Sequence, residues 1–224
     1  MSEAPPVIGS FPTLAELGCD GRKALAAVLA SSVYQTLAQA IASLTLFTHP
    51  ATIAQIPGGG ALFPVVRGKR RTSGAIGERS VRYDDNEAAQ HAFKWCNPGM
   101  PRWRDVQLNH VWSRSKDPDC FTAPANLCAT PTFLAKLTDH DEEVAALLRW
   151  RAFRLYAWRP AGEAEPPEPA GYNQLDWAAP LTATANLEAV LRRRLVAQPK
   201  STAGLIARES GWAFSGFKPD MLTG

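Results

Sequence analysis

One stretch, residues 108–127, limits what this chain can fold into more than any other. Val106, Leu108, His110 and Trp112 fall on one face of an alternating strand, and Asp105, Gln107, Asn109 and Val111 on the other. A polar loop containing Ser113, Arg114, Ser115 and Lys116 follows. A second short strand opens at Asn126-Leu127, and Thr130-Pro131 reads as the cap and first turn of a helix to about Leu137. A histidine ending an apolar face is costly to bury in its charged form. Such a ring is either neutral and hydrogen-bonded or working as a base.

The 224 residues suffice for one large domain with an ordinary core. With 46% hydrophobic and 20% charged residues, the chain has the composition of a folded globular protein. No apolar run approaches the roughly 20 residues of a membrane span. The first dozen residues lack the basic start and apolar centre of a signal peptide. A cytoplasmic protein without a membrane partner is therefore expected. A net charge of +3 exerts little long-range pull on nucleic acid, so such binding has to come from local clusters. The four cysteines form no C-x-x-C pair, which predicts plain thiols rather than disulfides or a zinc knuckle.

Along the chain, Leu25, Leu29, Val33, Leu37, Ile41 and Leu44 recur at helical spacing and predict one long helix over 20–47, ended by His49-Pro50. Gly58-Gly59-Gly60 lacks the G-K-[ST] of a phosphate loop. Residues 61–66 read as a strand that Pro64 pushes to a sheet edge. Arg67, Lys69, Arg70 and Arg71 then make the densest basic patch, an exposed loop able to neutralise phosphates. A strand near 80–83 precedes a helix capped by Asp84-Asp85 and running to about Trp95, on which His91 reads as structural. Thr138 and Asp141 form a capping box for a further helix with Arg149, Arg151 and Arg154 towards its end. Residues 159–171, with four prolines, read as a linker. A helix over about 185–197, a short segment around Leu205-Ile206 and an aromatic tail (Trp212, Phe214, Phe217) close the chain. The fold class expected is α+β, mainly helical, with regions 1–100, 101–158 and 172–224 belonging to one compact domain.

Strand, loop, strand and helix, with His110 and Asn126 at the two strand positions, resemble the ββα-metal unit of the HNH nuclease family over about residues 103–140. The resemblance implies a metal-dependent endonuclease that hydrolyses phosphodiesters of double-stranded DNA, restriction-like and compatible with a homodimer, using Mg²⁺ or Mn²⁺. In such families the first-strand histidine is the general base, which makes His110 the base here and Asn126 its orienting partner. The residue before the histidine is a metal position, here Asn109. Nine beyond Asn126, where a second ligand is usual, stands Ala135, which cannot ligate. Asp139 or His140 past the helix, or Asp117 and Asp119 in the loop, would have to compensate. Phosphate contacts are expected from Arg114, Lys116, Arg102 and Arg104, together with Lys69, Arg70 and Arg71. Trp112 reads as packing. Two alternatives stand beside this reading. Asn109 and Ala135 favour a catalytically inactive HNH-like DNA-binding or interaction module. An accidental resemblance would leave an α-rich partner-binding protein organised by the 20–47 helix.

Overall fold

The computed structural model describes residues 12–214. Its chain divides into two compact units, residues 1–40 and 41–224.

In the first unit, helix α1 (Gly21–Ala30) starts at Asp20, whose Oδ1 accepts from the backbone N–H groups of Arg22 and Lys23. The single long helix expected over 20–47 is not formed. The hydroxyls of Ser31 and Ser32 fold back onto the carbonyls of Ala27, Val28 and Leu29, and Gln35 takes a left-handed φ of 60°. Thr36 then accepts from the Gln39 N–H and opens α2 (Leu37–Leu44), inside which the unit boundary falls. Val33, counted in the apolar stripe, is 88% exposed in the break. Periodicity ran on through a point where serines compete for the backbone.

The second unit begins with β1 (Leu46–Phe47) and α3 (Pro50–Ile53). His49-Pro50 starts this helix, with the His49 ring accepting from the Ala51 N–H and proline at the first helical position. Next come β2 (Val65–Arg67), β3 (Thr72–Ile76), β4 (Arg79–Asp84) and α4 (Glu87–Cys96). Of the basic stretch at 67–74, expected as a loop, only residues 68–71 connect strands: Arg67 ends β2 and residues 72–74 begin β3. β2 pairs parallel with β4, and β3 pairs antiparallel with it through a turn at Gly77, giving the order β2-β4-β3. β2 lies at the edge, as Pro64 required.

A second sheet is built from β5 (Val106–His110) and β6 (Leu127–Pro131) in the order β1-β6-β5, antiparallel throughout. The expected helix after β6 is two single turns, α5 (Thr132–Ala135) and α6 (Leu137–His140). Asp141, not Thr138, caps α7 (Glu142–Tyr156): its Oδ1 accepts from the Glu143 and Val144 N–H groups, while the Thr138 hydroxyl donates to the Ala135 carbonyl. The carboxylate suits the positive helix end better than a hydroxyl. Helices α8 (Leu187–Ala197) and α9 (Thr202–Ser210) follow a 159–171 segment without helix or strand. Phe217 lies outside the described residues.

One apolar cluster joins Phe63, Phe93, Phe121, Leu127, Leu191 and Ile206, so the regions ending near 100 and starting at 172 share a core. The architecture is α+β. No described helix is long and apolar enough to cross a membrane.

Gly68 ends the edge strand directly after Arg67, and its position decides how close β2 sits to β4. A Cβ there would lie 2.6 Å from Cδ1 of the Tyr83 ring. Gly68→Ala is expected to cost about 1–3 kcal/mol through overpacking. Urea denaturation measures it, and an unchanged midpoint would mean that the ring moves aside freely.

Candidate active site at the β5–β6 hairpin

His110 is the last residue of β5 and stands opposite Leu127 in the antiparallel register. The chain then leaves the sheet for sixteen residues and returns through a 3₁₀ turn, Pro124–Asn126. Asn126 holds this excursion together. Its side chain is fully buried; Oδ1 accepts from the Trp112 N–H at 2.7 Å, and Nδ2 donates to the carbonyls of Cys120 at 3.0 Å and Trp112 at 3.3 Å. The Val111 N–H adds a bond to the Asn126 carbonyl. Both the exit of the loop and its middle are tied to one amide.

That clamp sets the histidine. The Phe121 carbonyl lies 2.9 Å from His110 Nε2, and the Phe121 ring stacks on the imidazole at 5.2 Å and 15°. A carbonyl oxygen only accepts, so Nε2 carries the proton and the neutral ring keeps its lone pair on Nδ1. The bonds of the Asn126 side chain go to the backbone of Trp112 and Cys120, next to the residue whose carbonyl meets the imidazole.

Burial lowers the His110 pKa below its ordinary value and Arg67 lowers it further, against opposing pulls from the Phe121 carbonyl and the Asp139 carboxylate. A ring so placed is neutral at pH 7 and can take a proton. His91, on α4, is also pushed down by burial and packs against Trp95 at 5.3 Å.

The other candidate residues fall in different places. Asn109 faces away from His110, is 5% exposed, and donates its amide to Thr130 Oγ1 at 2.7 Å and the Gln107 carbonyl at 3.3 Å. Strand alternation puts it on the opposite face, where its side chain serves the hairpin rather than an ion. Ala135 is buried. Asp139 is exposed on α6 and close enough for its charge to act on His110; His140 is exposed next to it. Asp117 accepts from the Cys120 thiol and Asp119 pairs with Arg79, so both serve the loop. Trp112 is 7% exposed, with the Arg149 guanidinium 5.5 Å above its ring.

Among the cations, Arg114 pairs with Glu163, and Arg70 sits among Asp84, Asp85 and Glu87, which neutralise it. Lys69, Arg71, Arg102 and Arg104 are exposed. Lys116 donates to the Arg67 carbonyl at 2.7 Å and the Arg67 N–H to the Ser115 carbonyl at 2.7 Å, which ties the end of β2 to the loop leaving His110. Of the basic stretch, Arg67 is the residue that these bonds tie to the loop after His110, and its charge acts on the imidazole. Its sequence signal was only that it heads the stretch.

An HNH-type site implies a divalent cation. Among the described residues no three His, Cys, Asp or Glu side chains gather into a metal-binding group. The carboxylate whose charge acts on His110 is Asp139, with His140 next to it in the chain. This set does not fit a preassembled centre such as structural zinc. Mg²⁺ asks less of the protein, because it keeps several waters and is commonly held by one or two carboxylates plus substrate phosphate. The cysteines offer no alternative: they are free, Cys96, Cys120 and Cys128 are buried, and burial pushes the Cys128 thiol up to about 12.

Comparison with protein-family models, with curated proteins and with solved structures finds no match for this chain.

Proposed function

We propose that residues 106–140 are the catalytic unit of an HNH-type, metal-assisted endonuclease acting on DNA phosphodiesters. The observation that supports this reading is the His110 Nε2–Phe121 carbonyl bond, which leaves Nδ1 as a lone pair at the end of an antiparallel hairpin followed by a helical turn. Nδ1 takes the proton of a water as its oxygen attacks phosphorus; the new P–O bond forms as the bond to the leaving oxygen breaks. Asp139, with His140 beside it, would hold Mg²⁺, which supplies charge neutralisation at the phosphate and at the leaving oxygen. Asn126 positions the base by fixing the carbonyl that selects its tautomer.

Incubation of supercoiled plasmid with the protein and Mg²⁺ or Mn²⁺, with and without EDTA, tests the reading. Nicked or linear product is expected in the metal arms and intact plasmid with EDTA. Intact plasmid in every arm rejects it.

The lowered His110 pKa adds a pH prediction. Cleavage is expected to be level around neutrality and to fall about tenfold per pH unit on an acid limb centred below 6.5. An acid limb centred above 6.5 would contradict a buried neutral base. The sign for stability is the same. The unfolded chain binds this proton more readily, so the contribution is complete above 6.5 and is lost as pH falls towards the folded pKa.

A second reading, a DNA-binding module that does not cut, is favoured by the absence of a three-donor group among the described residues and by the inward-facing Asn109. Gel-shift of the same plasmid fragments separates the two: binding without cleavage by both the wild type and His110→Ala identifies the module.

A further inference from the structure

We propose that Arg67 is the phosphate-binding cation of this site, supplied to the hairpin from the edge of the other sheet, with Lys116 beside it. The inference rests on the nuclease reading for the identity of its ligand, a phosphodiester, but its geometry stands independently.

Arg67 closes β2, and two bonds fasten that end to the loop after His110: the Arg67 N–H donates to the Ser115 carbonyl, and Lys116 Nζ donates to the Arg67 carbonyl. The second bond leaves the ammonium charge uncompensated, because its acceptor is neutral. Arg67 is exposed, and neither it nor Lys116 has a carboxylate partner among the described residues. The neighbouring cations differ. Arg70 and Arg114 are neutralised by acidic side chains from outside the hairpin. Lys69 and Arg71 are exposed as well, but Arg67 and Lys116 are the two cations that these bonds join at the loop after His110, and the Arg67 charge acts on the imidazole. Two adjacent cations without counter-charge, on backbone held at both ends, make a site for an anion. The planar guanidinium fork suits two phosphate oxygens, and the lysine adds a point charge. With no three-donor metal group among the described residues, more of the phosphate charge falls to these side chains.

Two measurements test this. Inorganic phosphate titrated into the wild-type protein is expected to shift the Arg67 Nε–H resonance saturably, and Arg67→Ala is expected to weaken phosphate binding as read at Lys116. No saturable shift at Arg67 overturns the proposal, whatever happens to DNA. In the plasmid assay, Arg67→Ala is expected to lose about 10²-fold in cleavage rate, the effect of removing one donor to a developing oxyanion, with unchanged circular dichroism. Arg67→Lys should recover part of the rate, because charge returns without the fork. Measurable cleavage by the wild type that Arg67→Ala matches also overturns it. If the wild type leaves plasmid intact while phosphate still shifts Arg67, the nuclease reading fails and the anion site stands.

Discussion

His110→Ala is expected to reduce phosphodiester cleavage about 10²–10⁴-fold, the usual contribution of a positioned base, while the protein stays folded. The imidazole makes one hydrogen bond, to the Phe121 carbonyl, and one ring stack, also with Phe121. Losing a typical hydrogen bond costs about 1 kcal/mol, which a body with so extensive an apolar cluster should tolerate. His110→Gln separates structure from chemistry. A glutamine amide can donate to the same carbonyl, yet it has no basic nitrogen. It is expected to keep the thermal midpoint near that of the wild type and to be as inactive as the alanine variant. Initial rates of plasmid nicking beside thermal melts measure both. Retention of more than a tenth of the wild-type rate in either variant would remove His110 from the chemistry.

Asn126→Ala is expected to produce the largest loss of stability among single changes at the site. The amide is wholly buried and meets one N–H and two carbonyls of the loop. Each buried group left unsatisfied costs about 1–3 kcal/mol, so a total of about 2–5 kcal/mol is expected after relaxation. For a domain of this size each kcal/mol lowers Tm by roughly 2–4 °C. Asn126→Asp should be comparably damaging. A carboxylate can still accept from the Trp112 N–H, but it confronts the carbonyls of Trp112 and Cys120 without a donor and must be buried with its charge. Activity should fall together with stability, because the loop that presents the Phe121 carbonyl is released. A melt within 1–2 °C of the wild type would mean that the loop is held by its apolar contacts instead.

The α+β class and the strand–loop–strand–helix order were legible, because alternation over 106–112 and the turn residues on either side are local signals. The partners of Asn126 were not. They are backbone groups six and fourteen residues away, brought close only when the loop closes. Asn109 illustrates how alternation can be right and its interpretation incomplete: the predicted opposite face exists, but Asn109 is buried on it and bonds Thr130 of the neighbouring strand β6. The long helix failed because hydrophobic spacing says nothing about serine hydroxyls that take the carbonyls of the last turn. Arg67 could not be singled out from the residues next to it. Its closeness to His110 is a contact between two sheets, across more than forty residues of sequence. The same contact distinguishes it from Arg70, which looked equivalent and lies among carboxylates.

The most direct measurement is the ¹⁵N spectrum of the His110 ring at pH 7.5, where the side chain should be neutral. Nε2 is expected to carry the hydrogen and Nδ1 to show the shift of an unprotonated imine nitrogen. A proton found on Nδ1 would mean that the Phe121 carbonyl does not set the tautomer, and that the nitrogen assigned as the base has no lone pair to offer.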